Sequence, residues 1–239
     1  MARATLKRRV WGNRKDEDPS RRLVTMLEPT STASEAYRTL RTSLLYSFVD
    51  DPPRVIVLTS PGPGEGKSTT CANLGVVLAQ ADKRTLIIDG DLRKPTMHRI
   101  FGLRNMRGVV NVLAGEHDLE GVWQEPLVGL KVVTAGSLPT NPAELVGSRR
   151  FAELVERARE SFDYVLIDAP PVELVSDPAI IAAQGDGVLL VLDAQNTRKG
   201  LVRRSMRSLR SVGATVLGTV MNNAKSNGGD YYHQGYVYQ

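Results

Sequence analysis

Residues 55–69 of the sequence, VIVLTSPGPGEGKST, decide the fold that we expect for the whole chain. An apolar run rich in β-branched residues stops there at a glycine-rich turn, which leads into Gly66, Lys67 and Ser68. Glycines let a backbone curl with its N–H groups toward phosphate oxygens, and a helix that follows adds its positive N-terminal end. The stretch therefore predicts a strand, a phosphate-binding loop and a helix, in the order that the motif G-x-x-x-x-G-K-[ST] requires.

The loop departs from that motif at its first position, where Pro61 stands instead of glycine and Gly62 follows one place later. In proteins with this motif the lysine, here Lys67, reaches the β- and γ-phosphates, and the next hydroxyl, here that of Ser68, holds Mg²⁺. A helix predicted over residues 70–80 supplies the context that the motif needs. The residues predicted to bind the nucleotide are Gly62, Gly64, Glu65, Gly66, Lys67, Ser68, Thr69 and Asn222.

The net charge of +5 on 239 residues comes from the beginning of the chain. Residues 1–25 hold eight lysines or arginines and three acidic residues, and the remaining charges balance. Such an arm is able to contact an anionic membrane surface or nucleic acid, or is simply solvated, which is the commoner state. The single cysteine, Cys71, excludes an intrachain disulfide and fits a reducing compartment, and no apolar run of about 18 residues is present.

Strand and helix patterns alternate along the chain, which predicts an α/β protein with a mostly parallel central sheet, helices on both faces and the P-loop NTPase fold. The predicted strands are 54–59, 85–89, 130–134, 164–168, 188–192 and 215–221. The main predicted helices are 35–48, 70–80, 149–161 and 199–212, the last of them amphipathic and basic. The domains follow as a basic arm and linker over 1–33, the nucleotide-binding domain over 34–223 and a flexible tail over 224–239.

Acidic residues are predicted at the carboxyl ends of two strands, where open parallel sheets bind ligands. Asp89 and Asp91 follow one strand, and Asp168 ends another that should lie beside the phosphate loop. An aspartate in that last position holds Mg²⁺ through water in nucleotide-hydrolysing folds. Asp177 is interpreted as a helix N-cap, and Asn222 either reads a purine edge or belongs to a turn.

Two further features lie outside the predicted sheet. Glu35, Arg38 and Arg41 follow each other at three-residue spacing on one helix face, capped by Thr32 or Ser34. These charges either pair within the helix or contact a neighbouring subunit. The tail holds four of the seven tyrosines, which are interpreted as phosphoryl acceptors or as a sticky, membrane-interface segment: Tyr231, Tyr232, Tyr236 and Tyr238.

Taken together, these motifs resemble the cytoplasmic domain of the bacterial tyrosine kinases, the BY-kinases of capsular and exopolysaccharide synthesis, over residues 35–239. That family shares its fold with the cell-division-site and chromosome-partition ATPases. Its phosphate loop ends in PGEGKS, as residues 63–68 do, and its E-x-x-R-x-x-R oligomerisation motif is similar to the spacing of Glu35, Arg38 and Arg41. Its second acidic motif is similar to Asp89, Asp91 and Arg93, and its third to Asp168.

The resemblance implies an ATP- and Mg²⁺-dependent protein-tyrosine kinase that phosphorylates its own tail in trans. Lys67 would hold phosphates, and Ser68, Asp168 and Asp89 would serve the metal. Asp89 is the candidate base, with Asp91 either sharing that task or binding metal, and Arg93 would stabilise the transferring phosphoryl group.

The implied partners are further copies of the chain in a ring-like homo-oligomer, a separate transmembrane adaptor that activates the kinase, and a tyrosine phosphatase. Nucleic acid is not expected as a partner. The implied location is cytoplasmic, peripheral at the inner face of the cell membrane through the adaptor. Two alternatives stay open: a partition-type ATPase, against which the tyrosine tail argues, and a nucleotide-gated assembly protein without kinase activity.

Overall fold

The fold is built around a seven-stranded sheet in a computed structural model that describes residues 19–46 and 52–224. The strands are β1 (Val55–Thr59), β2 (Thr85–Asp89), β3 (Gln124–Leu127), β4 (Leu130–Val133), β5 (Tyr164–Asp168), β6 (Gly187–Asp193) and β7 (Val216–Asn222). The α-helices are α1 (Val24–Leu27), α2 (Thr32–Tyr46), α3 (Lys67–Ala79), α4 (Met97–Ile100), α5 (Val109–Ala114), α6 (Pro142–Val146), α7 (Arg149–Ser161), α8 (Asp177–Ala182) and α9 (Lys199–Ser211). Short 3-10 helices lie at Pro19–Arg22 and Leu119–Gly121.

The strand order in the sheet is β3-β4-β2-β5-β1-β6-β7, and every neighbouring pair is parallel except β3 with β4. The predicted fold class is therefore confirmed, and the predicted strands agree with the observed ones to within one residue at each end. Strand β3 was not predicted, because QEPL is short, polar and interrupted by a proline, which sheets tolerate at an edge.

Two apolar layers cover the sheet. On one face α3 lies against the middle strands, and α2 packs on α3. On the other face α5, α7, α8 and α9 cover alternate residues of the same strands. Because β1, β2, β5 and β6 are buried along their whole length, they consist of apolar runs without polar alternation.

The register brings the carboxyl ends of the central strands to one edge of the sheet. Asp89 at the end of β2 is the direct neighbour of Asp168 at the end of β5. Leu58, one residue before the end of β1, also neighbours Asp168. The loop between β1 and α3 therefore starts beside both aspartates.

The segment expected to be a linker before residue 34 packs on the domain where it is described. Leu23 is buried, and the backbone N–H and hydroxyl of Thr25 both donate to Oδ1 of Asn73 on α3, at 3.0 and 2.8 Å. The expected caps of α2 are also wrong, because the Ser31 hydroxyl accepts from the backbone N–H of Ser34. Ser34 itself lies inside the helix, and its hydroxyl donates to the Glu28 carbonyl.

Two predicted helices differ in extent from the observed ones. Helix α2 begins at Thr32 instead of residue 35, and α3 begins at Lys67 instead of residue 70, directly after the phosphate loop. Among the described residues, no helix has the length and apolarity needed to cross a membrane.

Candidate active site

The phosphate loop between β1 and α3 relies on two glycines with left-handed backbone conformation. Gly64 has φ +78° and Gly66 has φ +92°, a region that other residues adopt only with strain. At Gly66 space is also limited, because a Cβ would lie 2.0 Å from Nδ2 of Asn222. Gly66 ends the loop directly before the first residue of α3.

The side chain of Glu65 shapes this loop from within. Its buried carboxylate accepts hydrogen bonds from the backbone N–H of Gly62 at 2.8 Å and from the Thr197 hydroxyl at 2.6 Å. It also accepts from the backbone N–H of Asp193 at the end of β6, at 3.2 Å. The carboxylate of Glu65, a residue predicted to bind the nucleotide, thus holds the loop against the end of β6.

Asn222 at the end of β7 supports the loop from the same side. Its Nδ2 atom donates to the Glu65 carbonyl oxygen at 3.1 Å and lies against Gly66. The predicted alternatives were a purine contact or a turn residue. The structure instead shows a side chain that ends a strand and contacts the loop backbone, and the purine contact stays a prediction.

Lys67 and Ser68 open α3 and face the two acidic motifs. The Lys67 ammonium donates to Oδ2 of Asp91 at 2.9 Å and to Oδ1 of Asp168 at 3.2 Å. The Ser68 hydroxyl donates to Oδ2 of Asp168 at 2.6 Å. Burial would lower the pKa of Lys67, but the charges of Asp168 and Asp91 outweigh it and raise the pKa above its ordinary value. The lysine is therefore a fixed cation between two carboxylates.

Asp89 and Asp91 have different environments although only one residue separates them. Asp91 lines the cavity beside the loop, and its Oδ1 accepts from the backbone N–H of Lys94 at 3.0 Å. Asp89 is fully buried, and its Oδ2 accepts from the backbone N–H groups of Thr96 and Met97, both at 3.0 Å. Burial and the neighbouring Asp168 raise the pKa of Asp89 to about 8. Asp91 is thus the carboxylate of this motif that faces the cavity.

Arg93 is held at the rim of the same cavity by Asp177. Its Nε donates to Oδ1 and its Nη2 to Oδ2 of Asp177, each at 3.1 Å, in a two-pronged arrangement. The Asp177 side chain is only 2% exposed, whereas that of Arg93 is 41% exposed. The N-cap predicted at Asp177 is wrong, since Ser176 precedes the helix and Asp177 is its first residue.

The cavity measures about 380 Å³ and combines a charged wall with an apolar one. Gly64, Lys67, Ser68 and Asp91 form the charged side near the loop. The apolar part of the lining comes from a segment that follows β5 and contributes Pro170, Pro171, Leu174 and Val175. Leu174 is 61% exposed and extends the apolar part of this lining to the surface.

Comparison with known proteins agrees with this geometry. The AAA domain family matches residues 53–212. The tyrosine-protein kinase YwqD of Bacillus subtilis is 41% identical over 206 residues, which are 86% of this chain and 87% of YwqD. The tyrosine-protein kinase wzc of Salmonella typhimurium is 36% identical over 90% of this chain, but the match spans only 30% of wzc.

This chain belongs to the bacterial tyrosine-protein kinases. The solved kinase domain of the Escherichia coli tyrosine kinase ETK has a TM-score of 0.83 and 32% identity, covering 90% of this chain and 84% of that domain. The septum site-determining protein MinD of Pyrococcus horikoshii, solved with Mg-ADP, shares the fold at a TM-score of 0.60 and 23% identity, over 70% of this chain and 69% of that one. Nucleotide binding by this kinase domain follows from the shared P-loop fold.

The oxygen donors of the kinase site suit Mg²⁺, which takes few protein ligands and completes its shell with phosphates and water. The Ser68 hydroxyl and the Asp168 carboxylate lie side by side, and Asp91 is joined to both through Lys67. Oδ1 of buried Asp89 has no hydrogen-bond partner among the described residues. Those residues contain no group of three or more acidic, histidine or cysteine side chains close enough to form a metal cage.

The other predicted sites of this kinase fall on α2 and on the tail. Glu35 and Arg38 pair with each other on the exposed face of α2. Arg41 instead donates to the Val77 carbonyl of α3 at 3.1 Å, so it holds two helices of the same chain together. The four tail tyrosines, Tyr231, Tyr232, Tyr236 and Tyr238, lie outside the described residues.

Sequence analysis missed the roles of Asp177, Asp193 and Thr197 in this kinase. Asp177 lies in the loop-to-helix segment after β5, and Asp193 ends β6, so both occur at the sheet edge where a site was expected. Their position at that edge was the available signal. Their partners, Arg93 and Glu65, are distant in sequence, so only the folded chain identifies the pairs.

Proposed function

We propose that this kinase domain transfers the γ-phosphoryl group of ATP to tyrosines of its C-terminal tail, between copies of the chain, with Mg²⁺ as cofactor. The observation that carries the proposal is the buried cluster of Lys67, Ser68, Asp91 and Asp168 at the end of the phosphate loop, open to one cavity. The names of the relatives add the tyrosine specificity.

In the proposed reaction the phenol oxygen of a tyrosine attacks the γ-phosphorus, and the bond to the ADP oxygen breaks. The phenol has an ordinary pKa of about 10, so its proton must pass to an acceptor as the new bond forms. We assign that proton to Asp91, because Asp91 lines the cavity, whereas Asp89 is fully buried and its Oδ2 is already held by two backbone N–H groups. Asp89 would then hold the turn that carries Asp91.

The charged residues around Asp91 have complementary roles. Lys67 would exchange its carboxylate contacts for phosphate oxygens, and Arg93, fixed by Asp177, would face the transferring group from the rim. Mg²⁺ bound with the nucleotide would neutralise charge on the phosphate oxygens, with Ser68 and Asp168 as the residues that hold it. Pro171 and Leu174 offer an apolar surface on which the acceptor ring can pack.

Mass spectrometry of the phosphatase-treated chain, incubated with ATP, Mg²⁺ and the cytoplasmic segment of the activating adaptor, tests the proposal. We expect phosphotyrosine within residues 225–239 for the wild type and for Lys131→Met. Asp89→Asn should also become phosphorylated, and its rate should fall less than that of Asp91→Asn. Lys67→Met should show none, since it lacks the phosphate-binding cation. Lys131 is a suitable control because it pairs with Glu125 of the edge strand β3 and does not line the cavity.

Mixing two differently tagged chains separates transfer between copies from transfer within one. Lys67→Met with an intact tail should become phosphorylated when an active chain lacking residues 225–239 is added. ATP hydrolysis without any tail phosphorylation would instead favour a partition-type ATPase. The fold shared with MinD is the observation behind this alternative. Tight nucleotide binding with neither reaction would favour a nucleotide-gated assembly protein.

We further propose that the domain acts in capsular or extracellular polysaccharide synthesis. It would do so as a ring-like homo-oligomer, peripheral at the inner face of the cell membrane, with a transmembrane adaptor as activator and a tyrosine phosphatase as antagonist. The exposed Glu35 and Arg38 pair on α2 supports contacts between copies. Pull-down of the tagged chain from membranes, followed by identification of bound proteins, tests the adaptor.

A further inference from the structure

Helix α9 carries a row of cations that the proposed reaction does not use. Lys199, Arg203, Arg207 and Arg210 follow each other at spacings of four, four and three residues, so they fall on one face of the helix. All four are exposed, while Ser205 and Leu209 on the opposite face are buried in the domain. The helix therefore presents a cationic face to its surroundings.

Nothing in the described part of the chain neutralises this face. Salt bridges there involve Arg204, which pairs with Glu173 at 3.0 Å, but none of the four face residues. The helix contains no acidic residue, and its first turn begins with Lys199 after Arg198 at the N-cap. Like charges at i,i+4 and cations at a helix N-terminus both destabilise a helix. This arrangement violates the local rules of helix stability, as sites that serve a function often do.

The C-terminal tail begins beside this face. Asn223 follows the last residue of β7, and its carbonyl accepts from Nε2 of Gln195 at 2.9 Å. Its own Nδ2 donates to Oδ2 of Asp193 at 3.0 Å. Residues 193–198 lead directly into α9, so the point from which the tail departs is fixed to the turn that precedes the cationic helix.

We propose that the tyrosine-phosphorylated tail, residues 225–239, docks on the cationic face of α9. This inference rests on the proposed function, because it takes the product of the tail phosphorylation as its ligand. Each phosphotyrosine brings close to two negative charges and several acceptor oxygens, which arginines bind in a two-pronged manner. Without phosphorylation, Asp230 is the only acidic side chain in residues 225–239.

Length and tethering both fit this occupant. Lys199 and Arg210 are about 16 Å apart along the axis, at 1.5 Å per residue. The first tail tyrosine follows Ala224 by seven residues, which span up to about 23 Å when extended. Tethering gives the tail a high local concentration at the face, an advantage that an anionic lipid or a nucleic acid does not have.

Fluorescence anisotropy with labelled synthetic peptides of residues 225–239 tests the docking. The protein is the full chain, treated with phosphatase and kept without nucleotide. We expect the peptide phosphorylated on all four tyrosines to bind at least about tenfold more tightly than the unphosphorylated peptide, with an affinity that falls as salt increases. Because the peptide is synthetic and no transfer takes place, the result does not depend on whether this chain is active as a kinase.

Paired variants locate the binding face. Arg203→Gln with Arg207→Gln should weaken binding of the phosphopeptide by about tenfold. The two Arg→Lys replacements, which keep the charge but lose the two-pronged contact, should weaken it less. Arg149→Gln with Arg157→Gln removes the same charge from α7, where both arginines already have acidic partners, and should leave binding unchanged. Equal affinity for both peptides, or equal loss in the α7 control, would overturn the proposal.

Vesicles containing anionic lipid and a short DNA duplex are measured with the same variants. If either binds through Arg203 and Arg207 while the phosphopeptide does not, the face serves that partner instead and the docking proposal is wrong.

Discussion

Gly66 illustrates how one residue of the phosphate loop depends on a partner far along the chain. Its left-handed φ of +92° could be anticipated from the motif, but its contact with Asn222 could not, because Asn222 lies at the end of the last strand. Gly64 has the same handedness, yet a Cβ there would meet no atom within 4 Å. A side chain at Gly64 would therefore meet only backbone strain, whereas one at Gly66 would also clash with Asn222.

Replacing each glycine by alanine should show this difference. Gly64→Ala should lower the free energy of unfolding by about 1 kcal/mol, the cost of a left-handed alanine. Gly66→Ala should cost more and should weaken nucleotide binding, since either Asn222 or the loop must move. Chemical denaturation and titration with a fluorescent ATP analogue measure both effects. If adding Asn222→Ala to Gly66→Ala restores none of the extra loss, the contact is not its cause.

Arg93 and Asp177 form the second residue-scale device, in which a buried carboxylate positions an exposed cation. Arg93→Ala leaves the Asp177 charge buried without a partner and should lower the free energy of unfolding by about 3 kcal/mol. Asp177→Asn should cost less, and the double variant should be more stable than Arg93→Ala alone. Denaturation curves of the three variants check this, with Glu173→Gln as the control for loss of a neighbouring, more exposed pair.

The catalytic consequence of that pair is separable from its effect on stability. If Arg93 serves the transferring group, Asp177→Asn should lower kcat on the order of tenfold, about 1.4 kcal/mol, with little change in KM for ATP. The double variant should then be no slower than Arg93→Ala. An additive loss would show that Asp177 does not act through Arg93.

At the scale of elements, the sequence specifies the buried strands well and the antiparallel edge strand β3 poorly. The runs TLIID and YVLID were predicted as strands with the observed bounds, because continuous apolar β-branched runs ending in aspartate have few alternative structures. QEPL was missed, since its strand state comes from pairing with β4 and not from its own residues. The cluster around Lys67 followed from topology, but the contacts of Glu65 and Asp177 depend on residues distant in sequence.

Asp186 is a further contact between elements that no sequence pattern indicated. Its Oδ2 accepts from the backbone N–H groups of Arg54 and Val55, both at 2.8 Å, and its carboxylate pairs with Arg159 of α7. Burial would raise the pKa of Asp186, but the hydrogen bond from Val55 and the pairing with Arg159 outweigh it and lower the pKa. The carboxylate thus fastens the start of β1 to the turn before β6.

Asp186→Asn should therefore lower the free energy of unfolding by about 2 kcal/mol at pH 7. A carboxyl with a lowered folded-state pKa stabilises the fold above its unfolded pKa of about 3.9, and this stabilisation is lost as the pH falls through the folded value. The difference between wild type and variant should consequently be constant from pH 7 to about pH 5 and shrink from there toward about pH 2. Urea denaturation across that range measures it, and Glu156→Gln, which removes an exposed partner of the same arginine, should leave it unchanged.

At the scale of the whole molecule, the segment around α2 packs within the single domain and is also the proposed contact between copies. Residues 22–27 and α2 cover α3 and thereby close the core on one face of the sheet. The charges of the E-x-x-R-x-x-R spacing were interpreted as either an intrahelical pair or a subunit contact. In the structure the three residues do not share one role. Glu35 and Arg38 pair on the surface, while Arg41 is committed to α3.

This division predicts different phenotypes for substitutions at Glu35 and at Arg41. Glu35→Ala should change the free energy of unfolding by less than about 0.5 kcal/mol, because exposed pairs contribute little. It should nevertheless reduce the mass of the assembly measured by light scattering. Arg41→Ala should lower the free energy of unfolding by about 1 kcal/mol through loss of its bond to Val77, in addition to any effect on assembly. Ser43→Ala, exposed on the same helix, is the matched control. If the assembly of Glu35→Ala has the same mass as that of the wild type at the same concentration, Glu35 does not contact a neighbouring copy. The charged face of α2 would then act only within the single domain.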